Sequence, residues 1–396
     1  MAAANHYNAP LDFGVRWLWD KVPRPRLRTL AITSPFPMAS AGLRLSTRVT
    51  NLHDRLRRPD RLVLAQTAPF EVIARREIVS LRHYPPPLPG TATKTPVIVV
   101  PPAGVNMLIY DLFPDRSLVA HLRDQGHPVY LIDWGAPTRR HAHYTMGTYL
   151  QDFMPAMLEA ARAHCGQRRV VLHGWSLGAL FSYAYAALGD PDLEALVLLG
   201  PPCDYHAPGM VNRHLAGPLK ALSRHTGWKV HDSPSVLWHV PGWANALGFK
   251  LMSPAGTLRG HLELLRRLDD RSHVQAHATH AAFLDNMVAY PGGVAQDIVQ
   301  FLITDNVLAR GKLPIRGCSA RLRDIKTRVL IVVGDKDPII TPAASQRLVD
   351  LMAQAECTVF TVPGGHMSIV SGREAPTRIW PEVDRWLQGA TPAAAA

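Results

Sequence analysis

The chain has 396 residues, of which 47% are hydrophobic and 19% charged, with a formal net charge of +12. This composition can bury a sizeable core and excludes a disordered chain, which needs low hydrophobicity and high charge. No apolar run reaches the roughly 18 residues of a membrane-crossing helix, and the opening MAAANHYNAPLDFG has no basic segment followed by an apolar one. The four cysteines (Cys165, Cys203, Cys318, Cys357) are widely spaced without a CxxC pair, which suits a reducing compartment and suggests neither a zinc site nor a disulfide frame. The expectation is a soluble, cytoplasmic globular protein, with no transmembrane segment, cofactor or metal.

The charge is uneven. Residues 1–94 hold 13 Arg and 2 Lys against 6 acidic residues, a surplus of nine. Residues 1–66 therefore read as a basic arm before a nearly neutral body. Such an arm attracts an acidic partner, a lipid headgroup or an anionic cofactor, or is simply a solvated face. No aromatic interleaving or helix-turn-helix pattern accompanies the charge, so nucleic acid is not expected as a partner.

Within this arm and just after it, the pattern predicts a helix over Ser46–Ala65. An extended pair, Phe70–Ala74 and Ile78–His83, follows before the Pro85-Pro86-Pro87 break. From Pro96 short apolar runs alternate with helical patterns. The predicted elements are strand Val97–Val100, helix Ser117–Gln125, strand Val129–Ile132, helix Met146–His164 and strand Arg169–His173. Helix Leu177–Leu188 and strand Ala195–Leu199 follow, then, much later, strands Arg328–Val333 and Thr358–Val362 and a closing helix Pro376–Leu387. This alternation predicts an α/β fold, a mostly parallel central sheet with helices on both faces. More than a hundred residues without that alternation separate the strands ending at Leu199 and starting at Arg328. The expected organisation is a first core part over 67–204, an inserted, mainly helical cap over 205–322, a second core part over 323–390, and a disordered tail, 391–396.

Gly174-Trp175-Ser176-Leu177-Gly178 stands between a strand and a helix, where a nucleophile elbow must sit. The sharp turn exposes the serine hydroxyl, and the helix N-terminus faces developing negative charge. A serine needs a base and the base an orienting acid, in the chain order nucleophile, acid, histidine. Asp337, in Gly334-Asp335-Lys336-Asp337-Pro338, and His366, in Pro363-Gly364-Gly365-His366, each follow a predicted strand and so share an edge with Ser176. Asp204 is the alternative acid. For the oxyanion hole, Leu177 supplies one N–H. The loop Pro101–Asn106 supplies the other, from Ala103, Gly104 or Val105, with Val105 favoured because Pro101 and Pro102 have none. Trp134, at a strand end, would shape the substrate pocket or pack in the core. Arg139, with Arg140 beside it, would hold substrate phosphates or lie in solvent. Trp238 and Trp243 would line an acyl tunnel or bury the cap's own core.

These segments resemble the polyhydroxyalkanoate synthases, nearest the short class with little N-terminal extension. The similar pieces are TAPFEVIARREIVSLRHY, VIVVPPAGVNMLIYDLFPDRSLVAHLRDQGHPVYLIDWGAPTR, LRRLDD, FLITDNVLARGKL, GDKDPIITP and PGGHMSIVSG, spread over roughly residues 67–388. The resemblance implies an α/β-hydrolase fold with a mobile cap and a 3-hydroxyacyl-CoA or hydroxyalkanoate ester substrate. It also implies association with a polyester granule surface and a homo-oligomer. By position it supports Asp337 as acid and His366 as base.

In that family the elbow carries cysteine; here it carries Ser176. A thiolate exchanges with a CoA thioester almost isoenergetically, whereas serine forms an oxyester from the same donor in a downhill step. Transfer onward to a hydroxyl is then roughly balanced, and water competes as acceptor. Three readings stay open: a serine hydrolase of 3-hydroxyacyl esters or thioesters, a polymerising acyltransferase releasing CoA, and a non-catalytic granule-associated scaffold.

Overall fold

The computed structural model describes residues 38–390 apart from Pro89, Ala92, 211–212 and 252–253. Most of the expected basic arm and the expected tail 391–396 lie outside the described residues.

The first helix, α1, runs Met38–Arg57 rather than over the predicted Ser46–Ala65. It stops one residue short of Arg58-Pro59, because a proline disfavours helical backbone at the residue before it, and a single 3-10 turn, Pro59–Leu62, replaces the expected last turns. Strands β1 (Glu71–Arg76) and β2 (Val79–Tyr84) form the predicted antiparallel pair. Then come β3 (Val97–Val100), a small hairpin of β4 (Asp111–Phe113) and β5 (Arg116–Ser117) that the sequence reading omits, α2 (Leu118–Asp124) and β6 (Val129–Asp133). The helix predicted over Met146–His164 is present as α3 (Met146–Thr148), a π-helical turn (Tyr149–Phe153) and α4 (Met154–Cys165). Pro155 cannot donate to the carbonyl four residues back, which accounts for the widened turn at this point.

Strand β7 (Val170–Trp175), α5 (Leu177–Ala187) and β8 (Leu193–Leu199) follow. A largely helical insertion holds α6 (Arg213–Thr226), α7 (Gly242–Leu251), α8 (Pro254–Arg266), α9 (Arg271–Asp285) and α10 (Gly292–Asp297). The chain closes with β9 (Arg328–Gly334), α11 (Pro342–Leu351), β10 (Cys357–Val362), α12 (Ser368–Ser371) and α13 (Trp380–Leu387).

Eight strands form one sheet in the order β1-β2-β6-β3-β7-β8-β9-β10. The pairs β1/β2 and β2/β6 are antiparallel and all others are parallel. Every residue of β3, β6 and β7 is buried. Since alternate residues point to opposite faces, both faces of these strands are covered. Helix α5 is buried at all eleven positions, so it is apolar all round rather than amphipathic.

The chain divides into two compact units. The larger comprises Val63–Leu258 and Thr279–Ala396 and holds the whole sheet. In the smaller, α1 pairs with residues 259–278: Asn51 Nδ2 donates to the Leu268 carbonyl (2.7 Å), Arg271 pairs with Asp54 (2.7 Å), and Leu62, Leu264, Leu268, Val274 and Ala278 form a separate apolar cluster. The expected boundaries at 66 and over 205–322 therefore do not coincide with the compact units, because residues 259–278 of the insertion group with α1 through the polar contacts of Asn51 and Asp54. Among the described residues, no helix is long and apolar enough to cross a membrane.

Candidate active site

Ser176 occupies the turn between β7 and α5 with φ 55° and ψ −123°, backbone that a non-glycine residue rarely adopts. The two flanking glycines make that turn feasible. A Cβ on Gly178 would lie 2.1 Å from the Val100 carbonyl oxygen, and one on Gly174 would lie 2.5 Å from Ser182 Oγ. Ser176 is half-buried while Trp175 and Leu177 on either side are buried. Leu177 is the first residue of α5, so its N–H is among those a helix leaves without an intrahelical acceptor.

Asp337 and His366 follow β9 and β10 and lie on the same carboxyl edge of the sheet. Both are buried, and His366 Nδ1 lies 2.6 Å from Asp337 Oδ2. A carboxylate can only accept, so Nδ1 carries the hydrogen and Nε2 is the basic nitrogen. Asp337 Oδ1 accepts from the N–H groups of Ile339 and Ile340, both at 2.9 Å, which fixes the carboxylate in its loop. His366 sits beside the elbow: Trp175 Nε1 donates to its carbonyl (3.0 Å), and the two ring centroids are 5.2 Å apart. Gly200, at the end of β8 with φ +54°, leaves room for the imidazole, since a Cβ there would come within 3.2 Å of His366 Cε1. The alternative acid, Asp204, is engaged elsewhere, accepting from Asn306 Nδ2 (2.7 Å) and the His206 N–H (2.8 Å).

The loop carrying Val105 is fastened to the insertion. The Gly104 carbonyl accepts from the Val288 N–H (3.0 Å) and from Asn245 Nδ2 (2.7 Å), and Asn106 Nδ2 donates to the carbonyls of Phe283 and Asn286. The Tyr290 ring covers Gly104 so closely that a Cβ there would fall 2.4 Å from Cζ. Burial pushes the Tyr290 hydroxyl up to about 12. Neither Asn245 nor Tyr290 stands in any recognisable motif; only an asparagine among apolar neighbours hints at a buried amide making paired bonds.

The structure places the two expected substrate contacts in different surroundings. Trp134 is only 3% exposed, packed edge-on against Tyr149 and Phe181, and its Nε1 donates to the Pro101 carbonyl (2.8 Å). It braces the loop from inside the core rather than facing a substrate. Arg139 lies exposed on a 3-10 turn (Arg139–His141). Burial, and after it the charges of Arg139 and His141, hold the His239 imidazole below its usual range. In the insertion, Trp238 donates to Ser233 Oγ (2.7 Å), whereas Trp243 is 64% exposed and neither lines a buried tunnel nor fills a core. Cys203 is fully buried, which pushes its thiol far above the usual range and keeps it from acting as a nucleophile.

The chain is similar to known proteins over most of its length. A family described as the alpha/beta hydrolase fold matches residues 96–227, and one described as serine hydrolase (FSH1) matches 305–368. The chain is 27% identical over 320 residues to the poly(3-hydroxyalkanoate) polymerase subunit PhaC of Haloferax mediterranei, covering 81% of this chain and 63% of that one. It is 24% identical over 317 residues to the protein of the same name from Allochromatium vinosum, covering 80% and 87%. Among solved structures, a monoacylglycerol lipase of Paleococcus ferrophilus is 19% identical, covering 74% and 96%, with a TM-score of 0.45.

Proposed function

We propose, for an enzyme of the α/β-hydrolase fold that is related to the poly(3-hydroxyalkanoate) polymerase subunits, that Ser176 takes the acyl group of a 3-hydroxyacyl ester or thioester. The observation that carries this reading is the strained, half-buried Ser176 beside a buried His366–Asp337 pair. His366 Nε2 removes the Ser176 hydroxyl proton as Oγ attacks the carbonyl carbon, and Asp337 stabilises the imidazolium that forms. The oxyanion is met by the N–H groups of Leu177 and Val105 and by the positive end of α5. When the intermediate collapses, the bond to the leaving sulfur or oxygen breaks, His366 returns the proton to it, and an acyl-serine remains. His366 then activates the second acceptor, and the serine is restored.

Serine at the elbow favours water as that acceptor and hence hydrolysis. The names of the relatives favour the second reading, transfer to the hydroxyl of a growing hydroxyacyl chain with release of CoA. The buried acid–base pair weighs against a non-catalytic scaffold. Exposed Leu237, Trp243, Leu247 and Leu251 offer an apolar face to a polyester surface, in keeping with a granule-associated enzyme.

The deciding experiment incubates the purified chain with 3-hydroxybutyryl-CoA, follows free thiol and identifies the acyl product by mass. Free hydroxy acid supports hydrolysis and oligomer supports polymerisation. Thiol release equal to the no-enzyme control, with no labelling of Ser176 by a fluorophosphonate, overturns both.

A further inference from the structure

We propose that Glu71, His83 and His164 form a binding site for a divalent transition-metal ion of the zinc class, remote from Ser176. Their ligand atoms all lie within 4.8 Å of one another. The three come from distant parts of the chain and converge through the sheet register. Glu71 in β1 stands directly opposite His83 in β2, which stands opposite Tyr130 in β6. Glu71 Oε1 is 2.9 Å from His83 Nδ1. His164, in the last turn of α4, brings its ring centroid to 4.5 Å from that of His83. Because His83 pairs near the amino end of β6 whereas Ser176 follows the carboxyl end of β7, the two sites lie at opposite edges of the sheet.

The donor set selects the metal. Two imidazoles and one carboxylate suit zinc and its neighbours, whereas magnesium and calcium take oxygen ligands. Donors around tetrahedral zinc stand about 3.4 Å apart, given bonds of about 2.0–2.1 Å. Glu71 and His164 are exposed and can adjust to that spacing, while His83 is buried and serves as the fixed anchor. Tyr130 Oη lies 2.9 Å from His164 Nδ1, which leaves Nε2 as the ligand atom and gives the outer partner that metal-bound histidines ordinarily have. Water completes the coordination. The spacings of 12 and 81 residues match no metal motif, which is why a sequence reading expects none.

The test titrates Zn2+ into the EDTA-stripped full chain at neutral pH by calorimetry, with melting temperature as a second readout. The expected result is one zinc per chain, a higher melting temperature with zinc, and no response to Mg2+. His83→Gln with His164→Gln is expected to lower affinity at least about tenfold, and His366→Ala to leave it unchanged. The exposed His164→Gln alone serves if the double variant fails to fold. No uptake by the unmodified chain, or equal affinity and stoichiometry in the folded variants, overturns the proposal.

Discussion

Trp175 Nε1 donates to the carbonyl oxygen of His366 across 3.0 Å, so the residue before the elbow serine holds the backbone of the histidine that follows β10. The strained turn and the base are thereby placed by one side chain, and a shift of either strand end displaces both. Trp175→Phe keeps the ring but removes the donor. It is expected to lower kcat with little change in KM and to shift the melting temperature by only a few degrees, for a lost bond of about 1 kcal/mol. Steady-state kinetics beside thermal melts check this.

Ser176→Ala is expected to reduce turnover by about 10⁴-fold or more while leaving stability nearly intact. Ser176→Cys places at the elbow the nucleophile that the resemblance to the synthases implies there. It is expected to retain thiol release from 3-hydroxybutyryl-CoA but move the product from free acid toward oligomer, measured by mass spectrometry.

We propose Asp337 as the acid because it contacts His366, and paired substitutions test it. Asp337→Asn keeps the shape but cannot hold the imidazole in its working tautomer, and is expected to cost about 10⁴ in kcat. Asp204→Asn weakens the contacts to Asn306 and His206, so it is expected to cost about 1–2 kcal/mol of stability with activity nearly unchanged. The reverse ranking would move the acid to the loop after β8.

His173, one residue before Gly174 in β7, is 1% exposed, and burial pulls its imidazole down to about 4. The folded state therefore keeps it neutral where the unfolded chain, near 6.5, would protonate it. The unfolded state binds the extra proton below pH 6.5, so stability is fully present above that value and falls until about pH 4, by about 3 kcal/mol from this group. Urea melts between pH 7 and 4 should show that slope, and His173→Val should flatten it.

The Gly104 carbonyl and the Val105 N–H belong to one planar trans peptide, so whatever holds the oxygen aims the hydrogen the opposite way. Asn245→Ala removes one of the two bonds to that oxygen. It is expected to lower kcat about 10–100-fold, a fraction of the loss seen when an oxyanion donor itself is deleted, with less change in KM.

Most of the sheet was legible because β-branched runs such as VIVV and VLIVV have no other stable use at that length, and β3 has the bounds its pattern predicts. The placement of Ser176, Asp337 and His366 at one edge was legible for a related reason: each follows a readable strand, and parallel strands deliver their ends to one edge. What escaped was carried by single polar side chains meeting distant carbonyls. Asn106 and Asn245 leave no periodic trace, and the role of Trp134 turns on one indole N–H reaching Pro101. The pairing of α1 with residues 259–278 escaped likewise, because it is made by single polar groups, Asn51 to the Leu268 carbonyl and Asp54 to Arg271, that leave no periodic trace.

The two bonds from Asn245 and Val288 to the Gly104 oxygen come from the β8–β9 insertion and end on the loop before it. Where Val105 serves as the second oxyanion donor, as we propose, the insertion works as a gauge. An acyl group that fits beneath it leaves the peptide clamped and the site armed. Any occupant bulky enough to prop the insertion off Gly104 lets that peptide turn and withdraws the donor, so the enzyme would read the size of what it holds before it cuts or joins.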